Sequence, residues 1–217
     1  MTHTLQTALI ADDHEIVCDG IEQLLKTRWP KIQVYKAMDG VAARDLAIKE
    51  QPQLLILDLS MPKMFGSDVA REIRRSCPKA HIIILTAFSN EQNIREAARA
   101  NADAIVLKDD GNQQLLDAIE KVLNGARYYS KKLHPLLASL QNEQEGDQST
   151  KKRSDTLTPR ERQILKLVAE GYSSKEIARF LELSPRTVDN HRRHLMLKLN
   201  AKNALELSAY AHSAGII

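Results

Sequence analysis

The sequence predicts a doubly wound α/β domain, a five-stranded parallel sheet of the flavodoxin-like kind, joined by a flexible linker to an all-α domain of four helices. Three observations carry this. Short, continuously apolar runs alternate with segments of helical periodicity, the pattern of a parallel sheet covered on both faces. From Gln141 to Asp155 there is no aliphatic residue at all, which is linker composition. Beyond it, helix caps of the Ser/Thr-Pro type recur at Thr158-Pro159 and Ser184-Pro185.

Taken in order, the strands are expected near residues 6–11, 32–37, 54–58, 80–85 and 104–107, with helices near 14–27, 40–50, 66–76, 89–100 and 112–124. In the last of these, Leu115, Leu116, Ile119, Val122 and Leu123 form one stripe, and Asn124-Gly125 is a natural stop. The domains are therefore expected at residues 1–125, 126–155 (a linker with a short helix formed by Leu133, Leu136, Leu137 and Leu140) and 156–217. In the last, one helix runs from Pro159 to Gly171, a second opens at Ser173/Ser174, a third at Ser184-Pro185, and a fourth spans roughly Ala204 to Ser213.

Composition narrows the function. No stretch of 18 apolar residues exists, so no membrane-spanning helix and no membrane partner are expected. The N-terminus has no basic segment ahead of an apolar run, against a signal peptide. Two cysteines, Cys18 and Cys77, suit the reducing cytoplasm better than a disulfide framework. The formal charge of +3 is unevenly spread: residues 1–125 carry −3 and residues 151–217 carry +6. An acidic front and a basic back point to different partners, phosphates for the back.

The strand ends hold the chemistry. Ala8 to Ala11 ends on Asp12-Asp13, Leu54 to Leu57 on Asp58, His81 to Leu85 on Thr86, and Ala104 to Leu107 on Lys108. Parallel sheets bind ligands at their carboxyl edge. Three carboxylates gathered there require neutralisation by a cation, and oxygen-only donors select a hard ion, Mg²⁺ first. Such a site, completed by a hydroxyl and an ammonium, is suited to a transferring phosphoryl group, with Asp58 on the central strand as nucleophile. Any one of these residues alone reads as an ordinary cap or a solvated charge; the combination is specific.

Asp12-Asp13, Asp58, Met61-Pro62 followed by Gly66, Thr86 and Lys108 resemble, in order and spacing, the receiver domain of response regulators over residues 5–124. The resemblance implies a histidine kinase as phosphoryl donor, and Mg²⁺ held by Asp13, Asp58 and the Ser60 backbone carbonyl, with Asp12 acting through water. It also implies a Thr86 that moves toward the phosphate while a nearby aromatic swings inward. The sequence departs from the pattern at Ile105, where the aromatic normally stands. Phe88, two residues after Thr86, is the nearest aromatic in sequence and is expected to line the site. The seven histidines offer no metal-ligand spacing, and His14 is expected to begin a helix beside the acid pair.

Leu157 to Ala214 resembles the helix-turn-helix of LuxR-type regulators, through Leu157-Thr158-Pro159-Arg160-Glu161-Arg162, Gly171, Ser174-Lys175-Glu176-Ile177-Ala178, Ser184 to His191 and Lys198-Leu199. On the helix from Pro185, Val188, His191, Leu195 and Leu199 share an inward stripe, while Arg186, Asp189, Asn190 and Arg193 share the opposite face with Thr187 near its start. A recognition helix presents such a face to base edges: Asn190 to adenine, Arg193 to guanine, Asp189 to cytosine N4. Arg192, Lys198 and Lys175 are expected to neutralise phosphates. Leu205 and Tyr210 on the last helix are left to pair with a twin in a dimer.

Together the two resemblances imply a transcription factor similar to the NarL/FixJ type, switched by phosphorylation of Asp58, dimerising on an inverted repeat in double-stranded promoter DNA, with RNA polymerase as a further partner. The alternative is a DNA-binding regulator whose receiver does not switch by phosphorylation, a reading kept by Ile105. A Mg²⁺-dependent phosphohydrolase would place a second Asp where Ser60 stands, and a flavin-binding domain would not place Asp12-Asp13-His14-Glu15 in its phosphate loop.

Overall fold

The computed structural model describes residues 4–87, 91–138 and 157–217. The chain divides into two units, Met1–Asp147 and Gln148–Ile217. In the first, strands β1 (Thr7–Ala11), β2 (Gln33–Ala37), β3 (Leu54–Asp58), β4 (His81–Thr86) and β5 (Ala104–Leu107) alternate with helices α1 (Glu15–Arg28), α2 (Gly40–Glu50), α3 (Gly66–Ser76), α4 (Glu91–Arg99) and α5 (Asn112–Leu123). These five strands are parallel and lie in the order β2-β1-β3-β4-β5.

The sixth strand is a correction to the five expected. β6 (Tyr128–Tyr129) adds in parallel to β5, with Tyr128 opposite Ala104 and Tyr129 opposite Ile105. Gly125 ends α5 in a left-handed conformation (φ 79°), closing the helix with hydrogen bonds from Gly125 N to Val122 O and from Ala126 N to Lys121 O. The chain then turns back along the sheet edge, and two aromatic residues there suit a pleated surface. A two-residue strand is too short to show an alternating pattern, which is why periodicity does not reveal it. A 3₁₀ turn (Lys131–Leu133) and a short helix α6 over 134–138 follow. Residues expected as the start of the linker are thus part of this unit: Leu133 is fully buried, and Tyr129, Leu136 and Leu137 pack against the same core. Leu140 lies outside the described residues, as do the remaining linker residues up to 156.

Alternation along the strands divides the core in two. Leu9, Leu55, Leu57, Ile82, Ile84, Ile105 and Leu107 face Ala43 and Ala47 of α2, Val69 and Ile73 of α3, and Ile94 and Ala97 of α4. Ala8, Ile10, Leu54, Ile56, Ile83, Leu85 and Val106 face Cys18, Ile21 and Leu25 of α1 and Leu115, Ile119 and Val122 of α5. Covering both faces leaves the two ends of the strands as the accessible edges, and the carboxyl end collects the polar residues.

The second unit has helices α7 (Pro159–Ala169), α8 (Ser174–Phe180), α9 (Pro185–Lys198) and α10 (Ala204–Ser213). Each start carries the local signal that makes it. Thr158 and Ser173 form capping boxes with Glu161 and Glu176, Ser184 accepts from Thr187 N, and Asn203 accepts from Glu206 N. Gly171 (φ 90°) stops α7 through the bond from Tyr172 N to Leu167 O. Ile164, Leu165, Ile177, Val188, Leu195, Leu207 and Ala211 are buried together with Ile216.

Candidate functional site

At the carboxyl edge of the sheet, Asp12 follows β1 with 1% of its surface exposed, and Asp58 ends β3 with 6% exposed. Lys108, the first residue after β5, reaches both: its Nζ lies 2.6 Å from Asp12 Oδ2 and 2.8 Å from Asp58 Oδ1. Thr86 ends β4 and is buried. The expected set of Asp12, Asp58, Thr86 and Lys108 therefore converges on one edge, with Asp13 more exposed at its rim.

Electrostatics sets the state of these groups. Burial pushes the Asp58 carboxyl above its ordinary value, opposed by the hydrogen bond and charge of Lys108. Burial also works against the charge on Lys108, but the two carboxylates outweigh it and hold its pKa above the ordinary lysine value. Lys108 Nζ thus sits between the carboxyl groups of Asp12 and Asp58. Ser60 N–H donates to Asp58 Oδ2 at 2.9 Å, so the loop after β3 orients the Asp58 carboxylate from its other side.

His14 belongs to this cluster more closely than its sequence position suggested. Its backbone N–H donates to Asp12 Oδ1 at 3.0 Å, and its ring Nδ1 lies 3.1 Å from Asp12 Oδ1 and 3.0 Å from Asp13 Oδ1. The hydrogen bond to Asp12, then the charges of Asp13 and Asp12, raise its pKa. The signal in the sequence was the helix start itself. An N-cap directly after the acid pair turns its amide back over Asp12.

Among the described residues, Asp12, Asp13 and His14 are the group whose ligand atoms cluster closely enough to hold a metal ion. The ligand atoms of Asp12, Asp13 and His14 lie within 4.8 Å of one another, and the carboxylate oxygens are the type that Mg²⁺ accepts. Gly66 explains how the loop comes so close to Asp58: a Cβ there would lie 2.1 Å from the Asp58 carbonyl oxygen. Phe88 lies outside the described residues. Ile105 is fully buried on the α2–α3–α4 face of the sheet, beside Tyr129 of β6.

In the second unit, α9 buries Val188 and Leu195 and exposes Arg186, Asp189, Asn190, Arg193 and His194. His191 and Leu199 are half-buried between the two faces. Thr187 is drawn to the cap, its Oγ1 lying 2.7 Å from Ser184 Oγ. Arg192 donates to Ser174 Oγ at 3.2 Å and fastens α9 to the start of α8, beside exposed Lys175. Lys198, expected to face phosphates, is held by Glu161 Oε2 at 2.8 Å and ties the end of α9 to α7. Arg160, whose role the sequence did not reveal, donates to Leu181 O at 2.8 Å and holds the α8–α9 turn. On α10, Leu207 and Ala211 are buried, whereas Leu205 is 78% and Tyr210 36% exposed.

Comparison with known proteins agrees with this geometry. Residues 8–120 match the response regulator receiver domain, and residues 155–211 match the bacterial regulatory proteins of the luxR family. The oxygen regulatory protein NreC of Staphylococcus epidermidis is 37% identical over 210 residues, covering 94% of this chain and 95% of NreC. The nitrate/nitrite response regulator protein NarL of Escherichia coli is 32% identical over 210 residues, covering 97% and 96%. RcsB of Salmonella enterica serovar Typhimurium, bound to a promoter in the presence of the phosphomimetic beryllofluoride, superposes with a TM-score of 0.61 at 29% identity, covering 96% of this chain and 99% of RcsB.

Proposed function

This chain belongs to the NarL/FixJ response regulators, DNA-binding transcription regulators of two-component systems rather than ordinary enzymes, and we propose that it is switched by a phosphoryl group carried on Asp58. The observation that carries the proposal is Lys108, held as an ammonium against both Asp12 and Asp58 at the sheet edge.

The donor is the phosphohistidine of a sensor kinase. An Asp58 carboxylate oxygen attacks phosphorus, the P–N bond breaks with its electron pair returning to the imidazole, and an acyl phosphate forms. Asp12, Asp13, Asp58 and the Ser60 carbonyl would hold Mg²⁺, which when bound neutralises charge on the phosphoryl oxygens. Lys108 faces the same charge without needing to be recruited, because Asp12 already holds it in place. Ser60 N–H holds Asp58 Oδ2 and Lys108 Nζ lies against Oδ1, so both carboxylate oxygens are oriented before the phosphoryl group arrives. Thr86 at the end of β4 is the hydroxyl within the same edge. Attack of water on the acyl phosphate resets the protein.

The output is read by α9. Arg186, Asp189, Asn190 and Arg193 face base edges, and Lys175 and Arg192 face phosphates. Leu205 and Tyr210 of α10 pair with a second copy, so that a dimer meets an inverted repeat, with RNA polymerase as the downstream partner. Two buried free cysteines fit a cytoplasmic setting. Among the described residues, no helix is long and apolar enough to cross a membrane.

The test is the mass of the full chain in solution by light scattering, with Mg²⁺, before and after beryllofluoride. The expected result is conversion from monomer to dimer, absent in Asp58→Asn. A mass unchanged by beryllofluoride, with DNA binding equal in both states, would instead support a regulator that works without phosphorylation, the reading that Ile105 keeps open.

A further inference from the structure

The loop between β3 and α3 carries the groups that orient Asp58, and it is held from outside the strand-end site. Its ends are fixed by backbone bonds, Leu59 N to Leu85 O at 3.1 Å and Gly66 N to Leu59 O at 3.0 Å. Leu59, Met61, Met64 and Phe65 are buried beneath it, while Ser60 is exposed. The tip is fastened to the start of α2. Gly40 N–H donates to Pro62 O at 3.1 Å, and a Cβ on Gly40 would lie 2.1 Å from Met64 O, so the two backbones touch.

Asp39 completes this junction with one oxygen for each task. Oδ1 accepts from Ala42 N at 2.8 Å and caps α2. Oδ2 lies 2.6 Å from Lys63 Nζ. The two side chains are 17% and 28% exposed, so solvent screens this pair less than an ordinary surface bridge. Lys63 adopts φ 64°, a left-handed conformation that costs a non-glycine residue free energy and is kept here by the surrounding bonds.

We infer that Asp39 and Lys63 are positioning residues for the phosphoryl site, setting the place of Ser60 and hence the Mg²⁺ affinity and the reactivity of Asp58. The inference rests on the phosphoryl reading above and adds to it a pair that touches none of the reacting groups. Residues that orient a metal ligand from behind typically change metal affinity by about 10- to 100-fold when removed. The charge and the cap of Asp39 act through different oxygens, since Lys63 Nζ meets Oδ2 and Ala42 N meets Oδ1.

Two variants separate positioning from folding. Asp39→Asn keeps an oxygen for the α2 cap and removes the charge. Lys63→Gly removes the ammonium and relieves the left-handed backbone, so its melting temperature holds or rises. Calorimetric titration of the full chain with Mg²⁺ alone is expected to show about tenfold weaker binding in both. Faster exchange of the Ser60 amide is expected in both, with Lys63→Arg restoring affinity. Wild-type Mg²⁺ affinity and Ser60 protection in the folded Lys63→Gly variant would overturn the inference while leaving the phosphoryl reading intact. A wild-type chain that takes up neither Mg²⁺ nor beryllofluoride would overturn that reading, and the positioning role with it.

Discussion

Ser130 is the sharpest probe of how the segment after α5 is built into the sheet. Its side chain is fully buried, its Oγ accepts from Leu107 N at 2.9 Å, and its own N–H donates to Ile105 O at 3.0 Å. Ser130→Ala removes the acceptor and leaves the Leu107 N–H buried without a partner. An orphaned buried donor costs about 1–3 kcal/mol. At roughly 3 °C per kcal/mol for a unit of this size, the first unit is expected to melt about 3–9 °C lower. Trp29, the single tryptophan of the chain, packs against the α1–α5 core and reports this unit by fluorescence without interference from the second. Leu107 amide exchange should accelerate in parallel. A melting temperature within 1 °C of wild type, with Leu107 still protected, would mean that β6 is not paired as described, and the six-stranded sheet would fail with it.

Two further outcomes concern the DNA-binding unit. Burial alone would raise the Glu161 carboxyl, but hydrogen bonds from Lys198 and Thr158 outweigh it and hold it below the ordinary carboxylate range. A carboxyl depressed in the folded state contributes stability that is present above its unfolded pKa and is lost as pH falls through the lower folded value, that is below about 4.3. Glu161→Gln keeps a capping-box residue but loses the ion pair. It should cost about 0.5–1 kcal/mol at neutral pH and flatten the acid loss of protection at Ile164 and Leu165; an acid limb as steep as wild type would contradict this. Arg193→Ala or Asn190→Ala should cost about 1–3 kcal/mol of binding and relax specificity at one base pair, whereas Lys175→Ala should weaken all sequences alike and lower the salt slope by about 1. Equal losses on specific and random DNA for Arg193→Ala would move that residue to the phosphates.

The sequence made the phosphoryl edge legible because each of its residues ends a strand, and strand ends in a parallel sheet share one rim. Asp12, Asp58, Thr86 and Lys108 needed no tertiary information beyond that rule. What it hid was cross-chain chemistry. The Asp39–Lys63 pair joins positions 24 residues apart, and no periodicity links an N-cap to a loop tip. Lys198 is expected at phosphates, and only folding brings Glu161 to it, through a pair spanning two helices. Likewise Arg192 shares the basic character of α9 but spends a hydrogen bond on Ser174. Part of the charge on α9 is thus engaged within its own unit.

The departure at position 105 shows why local motif loss and loss of chemistry are separate matters. Side chains alternate along β5, so Ile105 and Leu107 enter the core under α2, α3 and α4 while Ala104 and Val106 enter the other. Lys108 then leaves the strand to meet Asp12 and Asp58, and Ile105 takes no part in those contacts. An aliphatic residue there leaves the reacting set whole. What it changes is the cover: an aromatic stands beside it all the same, one strand over, because Tyr129 is its register partner on β6. Ser130, the residue after β6, accepts from the N–H of Leu107, the residue immediately before Lys108. The segment leading out of this unit toward residue 138 thus shares hydrogen bonds with the strand that delivers the ammonium.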